Sequence, residues 1–291
     1  MQASQASMCL RRLALGMVCS ISPNACDRSI NCLVCVDSFP GLKDNYVMKK
    51  YPFILVFAIS VILSLLVLSV LLDLRHLPSI ESLGKTNPKS TALMDQRARE
   101  ARRKGKPFSP VHRFVPYGSI SPHLKHAVLV AEDAAFFSHS GIDYEEMKEA
   151  IKADWRKKRF ARGASTITMQ LCKNLYLSTS KSPVRKLSEF ILAKRTDAVL
   201  SKTRVFELYL NYIEWGDGLF GCQAASQAYF GCSSSDLTPE QAIRLASIII
   251  NPRRWGPYSD TKRMNKRRRH LADRMFDAGY LTTEEYLALP F

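Results

Sequence analysis

The stretch Ser121-Pro122-His123-Leu124-Lys125-His126-Ala127-Val128-Leu129-Val130-Ala131-Glu132-Asp133 decides the fold class. Serine followed by proline is a helix start, with an N-cap and a first-turn residue that needs no N–H partner. The apolar run behind it ends on two adjacent carboxylates. Working outward, the same punctuation recurs. Asp143 opens a segment with Tyr144, Met147, Ile151 and Trp155 at helical spacing. Ser182-Pro183 opens another, with Val184, Leu187 and Ile191 on one stripe, and Ser201 caps a third carrying Val205, Leu208, Tyr209 and Tyr212. Thr238 to Gln241 and Thr282 to Glu285 are capping boxes, in which the threonine and the residue three positions on satisfy each other's backbone N–H. Strand signals are scarce and short, so residues 121–291 are predicted to form a predominantly α-helical domain.

Upstream, Tyr51 to Leu72 is uncharged and built from Leu, Val, Ile and Phe. At about 1.5 Å per residue it can span the hydrocarbon core. No small-x-small cleavage site follows, so an uncleaved transmembrane signal anchor is expected rather than a signal peptide. Lys43, Lys49 and Lys50 precede the span, which places residues 1–50 in the cytoplasm and everything after Asp73 outside. Met48 followed by two lysines and the apolar run reads as the natural start, and residues 1–47 as an upstream extension of a misplaced start codon. Residues 73–120, rich in Pro, Ser and Lys and including the run Arg97 to Lys106, form a linker or basic neck. A solvated surface and contact with anionic headgroups both remain open for it.

The 291 residues carry 42 Lys+Arg against 26 Asp+Glu, a net charge of +16. That balance predicts an anionic partner: nucleic acid, phospholipid or a phosphate-bearing substrate. A location outside the membrane argues against nucleic acid, so Lys266 to Arg269 is read as a solvated helix face near anionic lipid. Cys32-x-x-Cys35 has no second pair or histidines to complete a zinc site. Cys172, Cys222 and Cys232 lie beyond the span and read as free buried thiols.

No P-loop, HExxH, GxSxG or dinucleotide fingerprint is present. Ser178 to Lys181 matches SxxK formally, but nothing like the companion motifs follows. The candidate acid–base groups are Glu132, with Asp133, and Glu189 on a later helix. Two carboxylates from separate helices suit glycosyl chemistry, one moving a proton and the other steering charge. Arg185 and Lys186 share the helical face of Glu189. The small polar stretch Gly163 to Thr168 and then Lys173-Asn174 could admit a phosphate and neutralise it. Surface salt bridges and an ordinary Ser/Thr loop are the competing explanation, and composition alone does not separate the two.

Glu132-Asp133-Ala134-Ala135-Phe136-Phe137-Ser138-His139-Ser140-Gly141 resembles the EDxxFxxHxG motif of the peptidoglycan glycosyltransferases, family 51. Gly163 to Asn174 resembles their GxSTITQQxxKN motif. Arg185-Lys186-Leu187-Ser188-Glu189, then Ser201-Lys202 and Glu207 to Asn211, resembles the third. Gly221 to Gly231, Leu245-Ala246 to Asn251-Pro252, and upstream Asn87 to Met94 and Val115 to Pro122 continue the likeness to the monofunctional, membrane-anchored branch.

This resemblance implies a lysozyme-like helical glycosyltransferase domain with a small membrane-proximal jaw, at the outer face of the bacterial inner membrane. The implied reaction polymerises lipid II into the nascent glycan strand, with Glu132 as base and Glu189 holding the leaving pyrophosphate directly or through a divalent cation, Mg2+ or Mn2+. Lys173, Arg185 and Lys186 would neutralise the pyrophosphate. Ser165, Thr166, Gln170 and Asn174 would line the donor site, with Asp133, His139, Phe136 and Asn211 in support. Cell-wall synthases or division proteins are implied partners. Met169 and Cys172 depart from the pattern, the first removing one polar contact and the second offering a site for oxidation. A lytic glycosidase on the same scaffold, or an inactive cell-wall scaffold, are the alternatives.

Overall fold

The computed structural model describes residues 40–75, 80–157, 165–177 and 183–291. Cys9, Cys19, Cys26, Cys32 and Cys35, the glycine that opens the second motif, the formal SxxK and the Ser182 cap lie outside them. The chain divides into two units at Leu63/Ser64. The first helix, α1 (Pro40–Arg75), contains Phe53–Leu72, 20 residues long and apolar enough to cross a membrane.

The rest is helical. After a short 3₁₀ turn (Ile80–Gly84) come α2 (Ala92–Arg103), α3 (Pro122–Glu132), α4 (Tyr144–Lys157), α5 (Ile167–Tyr176) and α6 (Pro183–Val199). Then follow α7 (Lys202–Tyr212), α8 (Cys222–Phe230), α9 (Pro239–Ile248), α10 (Lys262–Asp277) and α11 (Thr283–Leu287). Strands are few and short: β1 (Val111–His112), β2 (Glu214–Gly216) and β3 (Leu219–Phe220) form one sheet in the order β1-β3-β2. β1 runs parallel to β3, with Val111 opposite Leu219, and β2 is antiparallel to it.

The caps form largely as the sequence expects. Asp143 and Ser201 each accept a hydrogen bond from the backbone N–H three residues on, and both capping boxes are complete. Thr166 and Thr261, for which no cap is expected, do the same for α5 and α10. Ser121 differs. It occupies the cap position of α3, but its hydroxyl donates to the Leu237 carbonyl at 2.9 Å, which ties α3 to the start of α9. Its backbone N–H donates to Ser234 at 2.8 Å, so the tertiary bond has replaced the local one.

Two packed groups build the core. α3 lies against α9 and α10, and α5 lies against α6 and α7. Leu124, Val128, Leu171, Phe206, Leu208 and Ile248 are fully buried among them. Each such side chain contributes about 1.5–3 kcal/mol of transfer free energy. The two groups fix the heights of the acid that ends α3 and the charged face of α6. The Tyr144, Ile151 and Trp155 stripe of α4 runs the other way: its periodicity is helical, yet these side chains are exposed, Trp155 by 85%. Periodicity reports a helix and an apolar face, not what covers that face.

Candidate active site

Glu132 is the last residue of α3. Each of its carboxylate oxygens has a donor. Gln170 Nε2, from α5, reaches Oε2 at 2.9 Å, and Arg267 Nη2, from α10, reaches Oε1 at 3.3 Å. Burial pushes the Glu132 carboxyl above its ordinary value, and neighbouring Asp133 adds to this. The Gln170 hydrogen bond and the charges of Arg267 and Lys173 oppose the shift without cancelling it. The side chain keeps 13% exposure, so a proton can still reach it. A carboxylate raised toward neutrality and still accessible is suited to accept a proton.

Glu189 is buried on α6, one turn from the two cations that its helix supplies. Arg185 donates to Oε1, and Lys186 Nζ donates to Oε2 at 2.9 Å. Lys186 also donates to Ser165 Oγ at 2.8 Å. Burial, with Arg185 and Lys173 nearby, lowers its ammonium to about 8. Lys173 projects from α5 into the same field. Burial and Arg185 disfavour its charge, and Glu132 favours it.

Gln170 and Ser165 join the two carboxylates. Gln170 Nε2 bonds both Glu132 and the Ser165 carbonyl, the latter at 3.3 Å, while the Ser165 hydroxyl takes Lys186. An unbroken polar line therefore runs Glu132, Gln170, Ser165, Lys186, Glu189. One end is a carboxylate raised above its ordinary value, and the other is a cationic cluster in which Arg185 and Lys186 hold Glu189 and Lys173 lies close enough to act on Lys186.

Several expected residues sit beside this line. Asp133 accepts from the Ile167 N–H at 3.0 Å and faces His139 Nε2 at 3.1 Å, which ties the start of α5 to the 133–141 loop. Phe136 is fully buried below that loop, against Phe206 and under the Lys202 ammonium, 4.4 Å from the ring. Thr166 does not line the cleft. It is 3% exposed, and its hydroxyl caps α5 while donating to the Gly141 carbonyl at 2.7 Å. Asn174 is buried next to Lys173. Asn211 belongs elsewhere: its amide holds Val115 on both sides, at 2.8 and 2.9 Å, and so fastens β1's exit to α7.

Neither cation site suggested by residue type fits a divalent metal. Both oxygens of Glu189 already carry donors, and a metal there would face Arg185 and Lys186 at close range. Asp133, His139 and Asp143 bring ligand atoms within 4.8 Å of one another, but both Asp133 oxygens lie 3.1 Å from His139 Nε2 and Oδ2 also takes the Ile167 N–H.

Three readings of the sequence change here. Met169 is fully buried in the core, so the departure at that position faces away from the polar line. Cys172 is fully buried against Thr196, and burial pushes its thiol up to about 12, which removes the thiolate that oxidation needs. The run Lys266 to Arg269 is only in part a solvated face: Lys266 and Arg269 are exposed, but the two residues between them turn inward. Arg267 holds Glu132, and Arg268, 3% exposed, donates to the carbonyls of Pro257 and Ser259 at 2.7 and 2.9 Å. Arg267 and Tyr209 are the site residues that motif reading missed. Helical spacing carried the signal for the first: Met264, Arg268, Leu271 and Met275 form the buried stripe of α10, and Arg267 stands at its edge.

Known proteins that resemble this chain share one description. The profile of a family described as Transglycosylase matches residues 101–276. A protein of Aromatoleum aromaticum is 45% identical over 195 residues, 67% of this chain and 85% of that one. One of Nitrosospira multiformis is 42% identical over 192 residues, 66% of this chain and 84% of the other. Both are described as biosynthetic peptidoglycan transglycosylases. The helical domain fits the lysozyme-like fold of that family. A chain whose matched region spans the polar line and both of its ends belongs to the transglycosylase family, in its biosynthetic peptidoglycan branch.

Proposed function

We propose that this protein polymerises lipid II into β-1,4-linked glycan strands, as a membrane-anchored glycosyltransferase. The observation that carries the proposal is the polar line from Glu132 to Glu189, a raised but accessible carboxylate at one end and a cationic cluster at the other. Glu132 takes the proton of the acceptor's 4-hydroxyl as that oxygen attacks C1 of the donor MurNAc. The new C1–O bond forms as the bond to the lipid pyrophosphate breaks. Its electron pair leaves on the pyrophosphate oxygen, and attack from the opposite face inverts the α linkage to β.

A pyrophosphate needs no strong acid to depart. It needs positive charge already in place where negative charge grows. Lys173, Arg185 and Lys186 supply that charge, and Glu189 holds Arg185 and Lys186 in position through its two oxygens. A lytic enzyme would instead need a protonated acid beside the leaving sugar and has little use for three cations.

The donor's lipid tail places the reaction at a membrane. Phe53–Leu72 supports an anchor, and the lysines before it support a cytoplasmic N-terminus with the domain outside the inner membrane. The exposed Tyr144, Ile151 and Trp155 face of α4, flanked by Lys148, Lys152 and Arg156, supports contact of this helix with lipid.

The test is polymerisation of labelled lipid II by the full-length protein in detergent. Long glycan from wild type and a loss of about 10²-fold or more in Glu132→Gln is expected. Release of fragments from preformed glycan, without polymer from lipid II, would replace this reading with the lytic one.

A further inference from the structure

We infer that Tyr209 is a positioning residue for the base, and that it sets the protonation of Glu132 by fixing which end of the Gln170 amide the carboxylate meets. The inference rests on the reading of Glu132 as the base.

Gln170 has a carbonyl end and an NH₂ end, and exchanging them reverses what Glu132 feels. The NH₂ faces two groups that can only accept, the ionised Glu132 carboxylate at 2.9 Å and the Ser165 carbonyl at 3.3 Å. The carbonyl end receives the Tyr209 hydroxyl at 3.0 Å. Tyr209 is fully buried on α7, and burial together with Glu132 and Asp133 holds its hydroxyl well above the ordinary phenol value, hence protonated and able to donate. A donor locked behind the amide carbonyl fixes the NH₂ toward Glu132.

The consequence is electrostatic. An N–H aimed at a carboxylate stabilises its charged form, whereas a carbonyl aimed there stabilises only the protonated form. Other groups face Glu132 as well: Arg267 from α10, Lys173 from α5, Tyr209 itself and Asp133 beside it. Arg267 and Lys173 also favour the charged form, but they act as point charges that do not depend on amide orientation. Gln170 is the one orientable neighbour among the described residues that the Glu132 oxygens touch, and Tyr209 is what orients it.

The experiment is the pH dependence of kcat/KM for lipid II polymerisation by the full-length protein, comparing wild type with Tyr209→Phe, Gln170→Met and Glu132→Gln, alongside thermal melting of each. In Tyr209→Phe the acid limb is expected to move up by about 0.5–1 pH unit, as loss of a charge-stabilising hydrogen bond implies. The rate lost below the limb returns as pH rises. Gln170→Met fills similar space without a donor and shifts the limb at least as far, so it decides the question if Tyr209→Phe melts too low to assay. A purely structural role for Tyr209 would lower the melting temperature and leave the limb where it is. Folded variants whose limb stays at the wild-type pH, with Glu132→Gln inactive, overturn the inference alone. An active Glu132→Gln overturns the base assignment and the inference with it.

Discussion

The Lys186 ammonium lies 2.9 Å from Glu189 Oε2 on its own helix, and the same nitrogen reaches Ser165 Oγ at 2.8 Å. Glu189 therefore neutralises part of a cationic cluster that would otherwise repel itself, and it aims the remaining donors toward the Ser165 side. The cost falls on Lys186, whose ammonium burial and the nearby Arg185 and Lys173 charges lower to about 8. The charged form is the one that the proposed neutralisation of the leaving pyrophosphate requires. It is present below that value and lost as pH rises through it. A basic limb in kcat/KM near pH 8 is expected, and Lys186→Arg should remove it because guanidinium keeps its charge throughout. A limb that stays in place in Lys186→Arg would assign it to another group.

Arg97 on α2 illustrates a different use of charge. Its guanidinium grips Glu214 of β2 with Nε at 3.1 Å and Nη2 at 2.7 Å, and Glu214 is 6% exposed. Arg97→Met would leave a buried carboxylate without its cation. A loss of about 2–3 kcal/mol is expected, at or just below the lower end of the range of about 3–5 kcal/mol for broken buried pairs, because Arg97 retains some solvent contact. Urea denaturation measures it. Adding Glu214→Gln should recover much of the loss, since the orphaned charge is then gone, and no recovery would mean that Arg97 acts through packing instead.

The helices were legible because their signals are local. A cap, an N1 proline and a 3.6-residue period lie within one segment, and Thr238 to Gln241 needs nothing distant to form its box. The site was half legible for the same reason. Glu132, Lys173 and Glu189 stand in contiguous motifs, and Arg185 and Lys186 follow from helical spacing. Arg267 is different: helical spacing puts it at the edge of the buried stripe of α10, but its partner Glu132 lies on a helix far away in sequence, and a run of four basic residues reads as surface. Thr166 differs too, for its motif position suggests substrate while its hydroxyl is held by Met169 and Gly141. Long-range pairing decided both, and composition does not encode it.

Cys172 offers a simple chemical check. Its thiol is fully buried and pushed up to about 12, so almost none of it is thiolate at neutral pH. In the native protein a maleimide should spare Cys172, and Cys232, partly exposed, should react first among the three cysteines beyond the span. Mass mapping after brief labelling reads this directly. Early modification of Cys172 would mean that α5 and α6 separate in solution.

Gly141 closes the motif that begins at Glu132, and two constraints meet there. Its φ of +73° is strained for any residue with a Cβ, and a Cβ placed there would stand 2.6 Å from the Ala193 carbonyl oxygen of α6. The Gly141 carbonyl also receives the Thr166 hydroxyl that caps α5. A methyl group would therefore push α6, which bears Glu189, away from α5, which bears Gln170 and Lys173. Gly105 separates the two effects: its φ is +63°, yet a Cβ there meets nothing within 4 Å. Gly105→Ala should cost about 1 kcal/mol, the left-handed penalty alone. Gly141→Ala should cost about 3 kcal/mol or more, since backbone rather than a flexible side chain must give way, and it should depress polymerisation beyond what its melting temperature accounts for. Equal losses at the two glycines would show that the approach of α6 to the 133–141 loop relaxes freely. The spacing between Glu132 and the cationic cluster would then have to be set elsewhere, by the α5–α7 contact at Tyr209.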